Sequence, residues 1–316
     1  FSYRQGPPIR HWAVAIQFSP AHDTHSCYGS ETTMSRWSKE IAQLDPSIDY
    51  ERIVYLLSTF EFAWDIEKAL EFALFRTYGV PSISGLLSKT GAFRKDTQKR
   101  YDDTELLLAE IAESGQDSVR GQVAMTRIND MHGRYRISND DMLYVLSTFV
   151  TEPKHWLDRI GRRALTTVEI DASVNYYRAL GKKMGINDIP QRFGAFDAYK
   201  NTYEVNHFRY APSNAEIANA TRDLLLSFYL PQRLVPLGRP VVHALCDPRL
   251  RQAMGFTDPP YWLEKLVATT LNARAKLLCL LPARRRPRLI SERHRKTYPQ
   301  GYQIGQLGTF TKDQDK

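Results

Sequence analysis

The stretch MHGRYRIS, residues 131–138, followed at once by NDDMLYVLSTF, residues 139–149, decides how this chain is read. Upstream of it, Ala124, Ile128, Met131 and Tyr135 recur at three- and four-residue steps, the spacing of one helix face. His132 lies beside that stripe and Gly133 follows it. Ser138 or Asn139 then caps a second helix, with Asp140 and Asp141 in its first turn, where carboxylates oppose the helix dipole. A histidine on such a face is ordinarily a hydrogen-bonded core residue. It is also the residue type that binds iron or zinc when neutral. A glycine beside it leaves room for a flat macrocycle, or marks only a frayed helix end.

Working outward, helical periodicity repeats and alternating strand patterns are almost missing. Asp49 precedes YERIVYLLSTFEFAW, and Asp65 is expected to cap IEKALEFALFRTY. Pro81 interrupts that run, and ISGLLSKT forms a short helix before Gly91. A long helix is predicted over residues 96–114 and another over 119–134. Pro153 is expected to open a new helix at EPKHWLDRIG. Thr166 with Glu169, and again Ser213 with Glu216, read as capping boxes. YWLEKLVATTLNARAKLLCLL, residues 261–281, is a further helix. The expectation is an all-α protein of about ten helices: an irregular segment over residues 1–33, a helical domain over 34–282 and a basic tail over 283–316.

The 316 residues carry 43 Lys+Arg against 35 Asp+Glu, a net charge of +8. Such a balance fits an acidic ligand, a membrane surface or simple solubility; no nucleic-acid-binding motif accompanies it. The charge is concentrated in LPARRRPRLISERHRK, residues 281–296, after an apolar run. That arrangement suits a helix lying on an anionic membrane, or a solvated tail. No apolar stretch reaches the ~18 residues of a membrane span. Three cysteines, Cys27, Cys246 and Cys279, argue against a disulfide framework. HDTHSC brings His22, His25 and Cys27 together without the spacing of a closed metal site, and reads as a surface loop. The chain begins at Phe1, as a fragment or processed form would. Nucleophile elbow, phosphate loop and dinucleotide fingerprints do not occur.

The predicted helix over 96–114 contains RYDDT. Arg100, Asp103 and Thr104 stand at i, i+3 and i+4 and share a face. Arginine clamps carboxylates, and aspartate and threonine orient protons or bound oxygen. The plainer reading is a helix end with an Arg–Asp surface pair.

Together RKDTQKRYDDT, TRINDMHGRYRISNDDMLYVLSTFVTEPKHWLDRIGRRALTTVE and YYRALGKKMGINDIP resemble the fungal MpaB oxygenases of the MpaB/latex-clearing-protein (rubber oxygenase) family. ALFRTYGVPSISGLLSKTGAF fits the fungal branch, and the likeness covers residues 49–228. The resemblance implies a globin-like helical fold enclosing one haem b. It implies His132 as the iron ligand, Met131 and Tyr135 beside the haem, and Arg100 and Thr104 on the distal side. It further implies an oxygenase at the endoplasmic-reticulum membrane that uses dioxygen to cleave a C=C bond in a prenylated or terpenoid small molecule of secondary metabolism. The alternatives are a haem enzyme of another reaction type or a haem- or lipid-binding protein without turnover. Two departures matter. The rubber oxygenases carry a lysine before the distal threonine, where this chain has Asp103, and a glutamate upstream, for which no acid is found near Ser84. Asp103 is the substitute candidate for the acid/base.

Overall fold

The computed structural model describes residues 35–309. Among these residues the chain is all-helical, as expected, with fourteen α-helices and no strand. The first three are α1 (Arg36–Ile41), α2 (Tyr50–Leu56) and α3 (Ala63–Thr77). Next come α4 (Pro81–Thr90), α5 (Ala92–Lys95), α6 (Thr97–Ser114), α7 (Val119–Gly133), α8 (Asn139–Ile160) and α9 (Thr167–Lys183). The last five are α10 (Phe193–His207), α11 (Pro212–Ser227), α12 (Val235–Leu245), α13 (Pro248–Met254) and α14 (Tyr261–Cys279).

Local chemistry sets most boundaries. The Asp96 carboxylate accepts from the Lys99 N–H at 2.9 Å, and Ser118 and Ser138 cap α7 and α8 through the N–H groups of Gly121 and Asp141 at 2.9 and 3.0 Å. Thr166 and Glu169 form the expected reciprocal capping box. Gly91, at φ +70°, ends α4 in a conformation that a side chain would strain.

Helix α8 runs through the middle of the molecule, against α3 on one side and α9 and α10 on others. Helices α6 and α7 form a hairpin. One apolar core joins them to α8, α9 and α10, with Leu106, Ile111, Ala124, Leu146 and Phe196 almost wholly buried. Each such large side chain contributes about 1.5–3 kcal/mol. A second core lies between α1, α2, α3 and the C-terminal half of α8, and a third joins α3 to α11 and α13.

Four expectations need correction. Pro153 does not open a helix, because α8 runs unbroken through it. An interior proline costs about 3 kcal/mol; here burial of Trp156, Leu157 and Ile160 on its C-terminal side offsets that. Asp65 is not a cap. A π-helical turn over Leu57–Glu61 leads into α3, and Asp65 sits buried inside it, accepting from Arg274 at 2.9 Å and from the Trp156 indole. Ser213 is not an N-cap either. Pro212 occupies the first turn of α11, while the Ser213 hydroxyl pairs with Ser84 at 2.9 Å and Glu216 accepts from Ser88 at 2.7 Å. The helix count was low because the short α1, α5 and α13 carry too few turns to show a period, α10 has a weak face, and α12 contains Pro236, Gly238 and Pro240, which read as breakers.

The segment after Pro282 is irregular, as expected, but it is not freely solvated. It runs as a strap over α3, α6 and α7. Arg293 pairs with Glu67 at 2.5 Å and Arg295 with Asp102 at 2.9 Å and with Glu105. Glu113 accepts from the Ile290 N–H at 2.6 Å, and Tyr302 donates to Glu110 at 2.5 Å. Leu307 is fully buried in the α6–α7 core, and Arg127 holds the carbonyls of Leu307 and Thr309, each at 2.7 Å.

Candidate functional site

The hairpin of α6 and α7 places His132, the next-to-last residue of α7, within electrostatic reach of Arg100, near the start of α6. The close approach depends on two glycines. Gly115 leaves α6 at φ +92°, and a Cβ on Gly121 would lie 2.0 Å from the Gly115 carbonyl oxygen. No other residue allows α7 to start so near the end of α6.

His132 is partly exposed as a residue, yet its Nδ1 is enclosed and has no hydrogen-bond partner among the described residues. Burial, and then the Arg100 charge, lower its pKa to about 4. The imidazole is therefore neutral at pH 7, the form that binds a metal. A buried polar atom without a partner costs free energy unless a ligand takes it. Beside it, a Cβ on Gly133 would meet nothing within 4 Å.

Arg100 donates to the Thr104 hydroxyl, which itself donates to the Arg100 carbonyl at 2.9 Å. The guanidinium stands 5.8 Å above the Phe93 ring and close enough to Tyr78 to act on its phenol. No carboxylate lies within ion-pair distance of Arg100 among the described residues, so it is a partly buried cation available to an anion. This disposes of the Arg–Asp surface pair.

Asp103 is buried but points elsewhere. One oxygen accepts from Lys99 at 2.6 Å and the other from the Tyr298 hydroxyl of the strap. Met131 also faces the strap, where its sulfur packs on Gly308. Tyr135 follows the end of α7, its N–H on the His132 carbonyl at 3.0 Å. Ser84 is wholly buried and donates to Asn214 at 2.5 Å, with no acid in its place. His22, His25 and Cys27 lie outside the described residues.

Sequence reasoning missed Tyr78 and Phe93, which wall the Arg100 side; they come from α5 and the turn after α3 and share no motif with it. It also missed the acidic group Glu67, Glu71 and Glu105, whose oxygens lie within 4.8 Å of one another. Burial pushes Glu71 up to about 7. Lys68, Arg288, Arg293 and Arg295 already balance this group, with contacts such as Lys68–Glu71 at 2.7 Å. A surface depression lined by Phe208, Arg209, Tyr210 and Arg249 includes none of the His132–Arg100 pair.

Among the described residues the candidate site therefore joins a neutral imidazole whose enclosed Nδ1 has no partner to an arginine with no carboxylate at ion-pair distance, on facing helices. It defines an all-helical protein with a ring nitrogen and a cation placed together between two helices. The family described as ER-bound oxygenase mpaB/B'/Rubber oxygenase, catalytic domain, matches residues 78–275, and the chain belongs to it. Among similar proteins, the ER-bound oxygenase mpaB' of Penicillium brevicompactum is 31% identical over 247 residues, 72% of this chain and 58% of that protein. The ER-bound oxygenase mpaB of Penicillium roqueforti is 33% identical over 216 residues, 63% of this chain and 72% of that protein. The chain thus spans between about half and three quarters of the relatives it matches.

Proposed function

We propose that this chain is a haem b-dependent oxygenase, that His132 binds the iron and that the substrate is an apolar small molecule with an isolated C=C bond in a prenyl or terpenoid chain. The observation that carries the reading is the neutral His132 ring, with its enclosed, partnerless Nδ1, facing Arg100. The relatives' names supply the oxygenase class. Bound haem supplies the activation of dioxygen. The protein's part is orientation and exclusion of water. His132 stays unprotonated because burial and Arg100 disfavour its charged form. Arg100 would hold a propionate carboxylate, with its guanidinium steadied by the Thr104 hydroxyl to which it donates. Tyr78 and Phe93 keep that side apolar.

Asp103 retains a smaller part than its position in the motif implies. Its oxygens are committed to Lys99 and Tyr298. We assign it to holding α6 against the strap.

Cleavage joins one alkene to one dioxygen and gives two carbonyl compounds, with one oxygen atom in each. The test is incubation of the haem-loaded protein with a prenylated phenol under isotopically heavy dioxygen. One heavy oxygen in each of two carbonyl fragments is expected. A single product of unchanged carbon count would replace cleavage with another haem reaction. No oxygen uptake with any prenylated substrate would leave a binding protein. We further propose that the chain works at the endoplasmic reticulum, as its relatives' names state for them.

A further inference from the structure

The longest exposed apolar feature lies away from His132, on α14. Only Ala275 of its nineteen residues is buried. Its inner side is anchored: Arg274 lies 3.7 Å over the Trp64 ring and pairs with Asp65, and Leu271 packs into the second core. Its outer side carries Trp262, Leu266 and Leu277, with Leu280 and Leu281 just beyond, between 53% and 80% exposed. Steps of three and four residues, through the small Thr270 and Ala273, put these on one stripe. A water-facing helix does not normally present a tryptophan and four leucines in a row.

The neighbouring charges select the occupant. Lys265 and Lys276 are exposed along one margin of the stripe, and Arg284, Arg285 and Arg286 are exposed at its end. None of these five has a carboxylate within ion-pair distance among the described residues. The arginines a few positions later behave oppositely: Arg288, Arg293 and Arg295 all turn inward to buried acids. The basic run is thus divided into a structural half and an outward half beside the apolar stripe. An apolar stripe edged by lysines and arginines is the pattern of a helix lying in the headgroup region of an anionic bilayer. No helix of the described residues is long and apolar enough to cross a membrane.

We infer that α14 and the Arg284–Arg286 cluster form a monotopic membrane-contact surface for anionic lipid. It is independent of the haem chemistry and rests on the proposed endoplasmic-reticulum setting only for the choice of a lipid surface. The contact would set the protein down with α12, which packs on α14 and exposes Leu237, at the same interface.

The test is co-sedimentation of the full chain with vesicles of phosphatidylcholine alone and of phosphatidylcholine mixed with phosphatidylserine. Binding should be stronger to the mixed vesicles and weaken with salt, each arginine contributing roughly fivefold. Trp262→Ser with Leu266→Ser and Leu277→Ser should reduce binding at least roughly tenfold. Arg284→Glu with Arg285→Glu and Arg286→Glu should remove the preference for phosphatidylserine. All six positions are exposed, so thermal unfolding should not change, and that is measured alongside. Undiminished binding by both triple variants would overturn the assignment to α14 while leaving membrane association intact. No binding by the unaltered chain would overturn both. A lipid-free dimer that the serine variant dissociates would show that a second copy covers the stripe, and would also overturn it.

Discussion

His132 combines two properties that rarely coexist in a core histidine: an enclosed ring nitrogen without a partner, and a pKa lowered to about 4. The pH consequence follows from linkage. The unfolded chain takes up a proton near pH 6.5, and the folded one only near 4. Between those values the unfolded state binds more protons, so the haem-free protein should gain stability as pH rises through that window and lose it as pH falls. Urea unfolding across the window should show this slope, and His132→Leu should remove His132's share. Arg100→Met should weaken haem affinity by about 1.5–3 kcal/mol, the worth of a hydrogen bond to a charged group, measured by haem transfer to a scavenger. Spacing put His132, Arg100 and Thr104 on helices, and only the resemblance to the family singled them out from a core histidine and a surface pair. It did not show where Asp103 points, since that depends on Tyr298, a partner 195 positions later.

At the scale of elements, the site depends on how closely α6 and α7 meet. Gly121→Ala would drive a methyl against the Gly115 carbonyl. Backbone cannot yield as a flexible side chain does, so a loss of about 1–3 kcal/mol is expected, with haem affinity falling because His132 shifts relative to Arg100. The urea midpoint and the haem titration read the two effects separately. Of the caps read from the sequence, Ser138 and Thr166 hold, each acting within three residues of itself. The errors were those where tertiary burial outweighed a local rule. Pro153 reads as a helix start, but α8 is packed along its length and continues through it. Asp65 and Ser213 look like caps, but each is claimed by a partner on another helix.

At the scale of the whole molecule, the C-terminal strap fastens α6 from outside. Asp102 is fully buried and Arg295 nearly so. Removing one side of a buried pair leaves an uncompensated charge, so Arg295→Met should cost about 3–5 kcal/mol, against little for the exposed Arg285→Met; chemical denaturation compares them. The strap was hidden in the sequence because a basic run ordinarily reads as solvated. The clue was the acidic series Asp102, Glu105, Glu110 and Glu113 along α6, which needs donors from elsewhere in the chain: Arg295 for the first two, the Tyr302 hydroxyl for Glu110, and the N–H and hydroxyl groups of residues 290 and 291 for Glu113. All-helical architecture was legible from periodicity; the division of the arginines between strap and surface required the fold.

The account turns on whether His132 holds haem iron. The most direct measurement is the absorption spectrum of the purified, haem-supplemented protein, ferric and then reduced, before and after carbon monoxide, beside His132→Ala. The account predicts a Soret band that shifts on reduction and again with carbon monoxide, lost in the variant while its helical circular dichroism is kept. No Soret band after haem supplementation, or an unchanged band in His132→Ala, would contradict it.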